Sequence, residues 1–185
     1  MPDLSCRVPH RGAVLAFLLS FVSMALPASA AEPLIRADPH QISETMKVEG
    51  ETVEIKVDRE GIPYIAAEHD GRTYQIYFFG CDEGVRNDNC SSVQFYSAFT
   101  TGKPFPLERI NKWSTERRFG RAYVESDGDA AIEMDVNFAS TGMSRELFLD
   151  NLDLWFEVFG LFDAYVFEEP EQAPDGESVG APAAD

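Results

Sequence analysis

Two stretches in which apolar and polar residues alternate around an Asp-Gly turn constrain this chain more than any other feature. Over 131–138, Ile132, Met134, Val136 and Phe138 fall on one side, and Glu133, Asp135 and Asn137 on the other. A period of two is that of a strand with one face in a core and one in water. The segment 119–125 alternates as well, and Ser126-Asp127-Gly128-Asp129 between them supplies a turn, so the two form a hairpin. Upstream, Val53, Ile55 and Val57 alternate with Glu54 and Lys56 over 52–58, and Arg59-Glu60-Gly61 turns the chain. Strands at 62–67 and 73–79 then flank Glu68-His69-Asp70-Gly71, where Asp-Gly is the strongest short hairpin signal. A further segment, 92–99, is rich in aromatic and β-branched residues. The pattern predicts an antiparallel sheet of about five to six strands, whose apolar face needs a cover.

Three helices are available to cover it. Asp38-Pro39-His40-Gln41 carries an N-cap aspartate followed by proline at the first helical position, and this helix stops by Gly50. A second begins near Pro106 with an apolar stripe of Leu107, Ile110 and Trp113. The third opens at Ser144 and runs to about Phe167. On it Phe148, Leu152, Trp155, Phe159, Phe162 and Val166 make one stripe, and Leu154, Val158, Leu161 and Tyr165 a neighbouring row. One stripe covers a sheet, so the second row is the predicted interaction surface, for a protein partner or for the same helix of a second copy in a homodimer. The fold class is α+β, with the order α-β-β-β-(β)-α-β-β-α, and 185 residues suit one such domain.

The ends of the chain read differently. Arg7 and Arg11 precede a run over 13–26 that is apolar apart from two serines, and Pro27 then leads into Ala28-Ser29-Ala30. That is a secretory signal peptide over 1–30, cleaved near Ala30. At about 14 residues the run is short of the roughly 20 a membrane-spanning helix needs, so no stable membrane insertion is expected after cleavage. The product is then periplasmic or secreted, with its domain at 31–167. Past Glu168 no basic residue balances the acids and prolines recur, predicting an acidic disordered tail over 168–185. The whole chain carries 15 Lys and Arg against 32 Asp and Glu, a net charge of −17. Such a field repels nucleic acid. Cys6 lies in the leader, which leaves Cys81 and Cys90. In an oxidising compartment this pair is expected to close as a disulfide. Its spacing is too wide for a C-x-x-C redox site, and no second Cys/His pair completes a zinc shell.

A family resemblance rests on one long stretch. Ile110-Asn111-Lys112-Trp113, then Arg118-Phe119-Gly120-Arg121-Ala122-Tyr123-Val124, Asp127-Gly128-Asp129 and Glu133-Met134-Asp135-Val136-Asn137 resemble the signature region of the YbjN family of bacterial sensory-transduction-like proteins. The strand into Gly80-Cys81 and the later Val93-Gln94-Phe95 resemble it too, so that residues 38–167 are covered. The resemblance implies a fold like that of type III secretion chaperones, and a protein-binding or chaperone-like module without an established reaction.

The residues themselves offer one place for chemistry. Asp127, Asp129, Glu133 and Asp135 crowd the second hairpin, and paired carboxylates serve acid–base work or hold a hard cation. That is the alternative reading, a small periplasmic hydrolase or cation-dependent enzyme. The plainer one is a solvated acidic face, because the loop lacks EF-hand spacing and Glu133 and Asp135 lie opposite the apolar residues of their strand. Asp82, Glu83 and Asp88 in the cysteine loop read the same way. His69 reads as a turn residue, and Trp113 and Trp155 as core. Arg117, Arg118 and Arg121 form a basic cluster, with Arg121 placed to pair across the hairpin. No nucleophile motif or cofactor-binding loop is legible, so neither a cofactor nor a metal is expected. The sequence thus favours an exported, non-enzymatic binding module.

Overall fold

The computed structural model describes residues 32–82, 89–138 and 140–168. The leader, Glu83 and Asp88 of the cysteine loop, and the tail from 169 lie outside the described residues. In chain order the elements are α1 (Pro39–Val48), β1 (Thr52–Val57), β2 (Pro63–His69), β3 (Arg72–Phe79), β4 (Ser92–Phe99), α2 (Leu107–Glu116), β5 (Arg121–Val124), β6 (Ala130–Asn137) and α3 (Arg145–Phe167). The strands form one six-stranded sheet in the order β1-β2-β3-β4-β6-β5, antiparallel throughout. After β4 the chain passes through α2 to lay β5 at the far edge, then returns along β6 to pair with β4. This is the expected α+β order, with the optional fourth strand of the meander present.

Local chemistry sets most boundaries. Asp70 and Gly71 take positive φ values of 50° and 75°, as a two-residue hairpin requires, and His69 and Arg72 close the ladder. The Asp38 carboxylate accepts the N–H of Gln41 at 2.9 Å, capping α1 ahead of Pro39. The Ser144 hydroxyl likewise accepts from Leu147 at 3.2 Å at the start of α3. Beside it, the Glu146 carboxyl is held below its ordinary range by its own backbone N–H and by Ser144.

Leu107 departs from the expected stripe, being 68% exposed. Steps of three along a helix each fall about 60° short of a full turn, so Leu107 stands about 120° away from Trp113. The buried Phe105, just ahead of the helix, takes its place in the core.

The helices cover one face. Tyr74, Ile76, Phe95, Phe99 and Ile132 point into it from the sheet, and the first stripe of α3, from Phe148 to Val166, is buried as expected. Trp155 stacks on Phe159 with centroids 5.2 Å apart and on Phe95 at 5.6 Å, while Trp113 of α2 meets the edge of Phe162 at 4.9 Å. Arg72 on β3 and Asp163 on α3 pair at 2.5 Å. His69 has a larger role than that of a turn residue, because its ring lies flat on Phe156 at 3.6 Å and its Nδ1 is 3.1 Å from both oxygens of Glu51.

The Tyr74 hydroxyl is buried without a hydrogen-bond partner among the described residues, and burial pushes its ionisation far above the ordinary range, with the Glu51 carboxylate adding to the effect. Deleting an unpaired buried hydroxyl removes a desolvation cost. Tyr74→Phe is therefore expected to raise stability by about 1 kcal/mol in urea denaturation; a loss of similar size would reveal a partner for the hydroxyl.

Cys81 is bonded to Cys90. Cys90 is buried, and its N–H reaches the carbonyl of Ala37 at 3.2 Å, tying the loop to the segment ahead of α1. Closing a loop of about ten residues stabilises by on the order of 2.5 kcal/mol in the chain-entropy treatment. Labelling of the denatured, unreduced protein is expected to find neither Cys81 nor Cys90 free, and modification of both would contradict the bond.

Candidate functional site

The second row of α3 divides in the folded chain. The connection from α2 to β5 crosses it at Gly120, whose φ is +81°. A Cβ built on Gly120 would lie 2.6 Å from Val158 Cγ1 and 2.9 Å from Ile132 Cδ1, so only glycine lets the chain pass this close. Val158 is consequently 7% exposed, and its expected place on an open surface is corrected: it belongs to the core. The same positive φ delays β5 to Arg121, two residues later than the alternation alone suggests. Tyr165 is also committed inside the chain. Its hydroxyl donates to the Arg109 carbonyl at 2.9 Å, and the Arg109 guanidinium donates to the Tyr165 carbonyl while lying over the ring at 4.7 Å.

Leu154 and Leu161, by contrast, stay at the surface. Leu154 is half-buried and Leu161 is 40% exposed, and both border a cleft of about 210 Å³ between α3 and the α2–β5 connection. Phe119 and the edge of Trp113 form its other wall, and Arg117, Arg118 and Glu157 edge it. Arg118 lies over the Phe119 ring at 4.9 Å and Arg117 over Trp113 at 5.3 Å. These arginines hold cationic heads above apolar stems and rings, an arrangement that accepts carboxylates beside apolar groups. Sequence reading found one side of this cleft, the leucines, and missed the other. The available signal was the adjacency of the Arg117-Arg118 pair to Phe119-Gly120.

Gly120→Ala is expected to cost about 2–4 kcal/mol, combining left-handed strain with overpacking against Val158 and Ile132. Chemical denaturation measures it, and a cost under about 0.5 kcal/mol would mean that the connection does not close over α3.

The acidic hairpin is not a convergent site. Asp127 accepts the backbone N–H of Asp129 at 3.2 Å, Asp129 accepts from Thr100 at 2.6 Å, and Asp135 accepts from Gln94 at 3.1 Å. Glu133 departs from the expectation of a solvated side chain, being 2% exposed and ion-paired with Arg121, its cross-strand neighbour on β5. Its face was assigned correctly; its solvation was not, because Arg121 and Tyr96, its register partners on either side, cover it. Asp135 is exposed. Among the described residues, no group of three or more His, Cys, Asp and Glu side chains is placed to hold a metal ion. Nor is any described helix long and apolar enough to cross a membrane.

No curated protein matches the chain. A search of solved structures finds the Yersinia pestis type III secretion chaperone SycH in complex with a stable fragment of YscM2, at 14% identity and a TM-score of 0.40, over 69% of this chain and 96% of that one. Residues 38–168 match the family described as "YbjN: Putative bacterial sensory transduction regulator", a span from the capped start of α1 to the end of α3 that takes in both hairpins and the cleft. With every described helix and strand, from α1 to α3, inside that match, the chain belongs to the YbjN family.

Proposed function

We propose that this protein is an exported, non-enzymatic binding module that holds an apolar polypeptide segment bearing carboxylates in the cleft beside α3. The observation that carries the reading is the cleft itself: Leu154, Leu161 and Phe119 offer apolar surface at a rim that carries Arg117 and Arg118, on a chain of net charge −17. An aliphatic or aromatic side chain placed there loses contact with water, and a neighbouring carboxylate meets the guanidinium groups. The hairpin carboxylates each have a separate partner, which favours binding over hydrolysis. Membership of a family described as sensory transduction regulators agrees with a role exerted through protein contacts.

Export rests on the leader read in residues 1–30, and amino-terminal sequencing of the protein from the periplasmic fraction is expected to begin at Ala31. Self-association through α3 is the weaker form of the proposal. With Val158 buried, Leu154 and Leu161 alone fall well short of the roughly 800 Å² per partner typical of a stable interface.

Selection of random displayed peptides against the protein tests the cleft. Enriched peptides are expected to combine Leu, Phe or Trp with Asp or Glu, and to lose at least tenfold in affinity when Leu161→Glu is introduced. Enrichment of basic or purely polar peptides, or binding indifferent to Leu161→Glu, would overturn the proposal.

A further inference from the structure

The face of the sheet turned away from the helices carries a row of tyrosines that the cleft does not explain. Tyr64 on β2, Tyr77 on β3, Tyr96 on β4 and Tyr123 on β5 all alternate with core residues and so point outward, and each is half-buried. Ring centroids are 5.6 Å apart from Tyr64 to Tyr77 and 5.9 Å from Tyr77 to Tyr96. Tyr64, Tyr77 and Tyr96 therefore form a continuous aromatic strip across β2, β3 and β4, and Tyr123 stands beyond it, on the far side of β6. Among the described residues all three helices bury their apolar sides against the other face, and this one is covered only by its own side chains.

Carboxylates accompany the rings. Glu125 accepts from the Tyr96 hydroxyl at 2.6 Å, Glu133 lies buried between Tyr96 and Arg121, and Asp135 stands exposed beside Gln94. Burial raises the ionisation of the Tyr77, Tyr96 and Tyr123 hydroxyls above the ordinary range, with neighbouring Tyr64 adding to it at Tyr77 and Glu125 at all three, and the rings present neutral, electron-rich faces. Electron-rich rings beside anionic oxygens attract cations, guanidinium above all. The chain itself displays that mode: Arg121 pairs with Glu133 while its guanidinium lies over the Tyr123 ring at 5.4 Å. Arg121 remains 71% exposed, so it occupies the spot without closing it.

We propose that this tyrosine face docks an extended, arginine-bearing polypeptide segment of a partner protein, with Arg121 holding the place of one ligand guanidinium. This goes beyond the cleft, which lies on the opposite side of the sheet and carries arginines of its own. Charge complementarity favours a basic segment here, since Glu125, Glu133 and Asp135 face a single Arg121 along this part of the row, and diffuse attraction from the acidic chain adds to it.

The test uses a synthetic (Arg-Ser)5 peptide, with (Gln-Ser)5 and (Glu-Ser)5 as comparisons, binding to the intact protein by calorimetry. The arginine peptide is expected to bind at least tenfold more tightly than either comparison. Tyr77→Ala with Tyr96→Ala, which leaves the net charge unchanged, is expected to weaken it about tenfold, in line with the loss of two cation–π contacts. Near-ultraviolet circular dichroism checks that this variant is folded, and the conservative Glu125→Gln, which keeps the side chain's shape, is expected to weaken binding about threefold. Arg121→Ser is expected to tighten binding, because it vacates a place a ligand arginine can fill. Asp150→Asn, an equal charge change on the exposed side of α3, is expected to leave binding unaltered. The proposal is overturned if the arginine peptide fails to bind at about millimolar concentration, if the tyrosine variant binds as well as the parent, or if Asp150→Asn weakens binding as much as Glu125→Gln.

Discussion

Trp155→Ala is expected to destabilise the domain by about 3–5 kcal/mol. Trp155 is fully buried and sits where the apolar stripe of α3 crosses the centre of the sheet, with ring centroids 5.8 Å from Tyr74, 5.6 Å from Phe95 and 5.2 Å from Phe159. Truncation would leave a cavity among three aromatic rings that are themselves held by the strands and by α3, so little collapse can refill it. The indole N–H finds no partner among the described residues, and the cost is therefore one of packing, with no hydrogen bond lost. A domain of this size commonly has about 5–15 kcal/mol in all, so roughly a fifth or more of its stability is at stake. The urea midpoint measures the effect, and a loss below about 1.5 kcal/mol would show that α3 does not close the core at this point.

The second large effect separates two neighbours on α3. Val158→Glu is expected to cost on the order of 4 kcal/mol or more, because it places a carboxylate beneath Gly120 and against Ile132, where burial either neutralises it or leaves it unpaired. Leu161→Glu, three residues on, is expected to stay within about 1 kcal/mol of the parent, since its side chain lies at the mouth of the cleft and is 40% exposed. Thermal denaturation of the two variants side by side gives the comparison. Equal stabilities would mean that Val158 and Leu161 share one open surface, and the cleft as described would not exist.

These two residues also mark how far sequence reasoning reached. Hairpins were legible because their signals are local: Asp70-Gly71 supplies the positive φ values of the turn, and Ile132, Met134 and Val136 alternate without interruption. The buried stripe of α3 was legible for the same reason, since its period belongs to one helix. Long-range placement was not. Whether Val158 meets solvent depends on residues 117–120, far away in sequence, whose path over α3 is set by the absence of a side chain at Gly120. The position of β6 between β4 and β5 is likewise a non-local choice that alternation does not encode. Glu133 shows a subtler failure. Period two places it on the outer face, and only the cross-strand register, with Tyr96 on one side and Arg121 on the other, reveals that this face buries part of itself. Of the site, the leucine side was readable from helical spacing, whereas the Phe119 and Arg118 side required the chain to be folded.

Photo-crosslinking most directly tests whether the cleft is where this protein meets its partner. A photoreactive residue replaces Leu161 in the full chain expressed in its own cells, and a second version carries it at Val48, the exposed last residue of α1. Irradiation is expected to give a discrete polypeptide adduct from position 161 and none from 48, with the crosslinked peptide rich in apolar and acidic residues and the adduct lost when Arg118→Glu is added. The same adducts from both positions, or an adduct at 161 that survives Arg118→Glu, would contradict a partner held in the cleft.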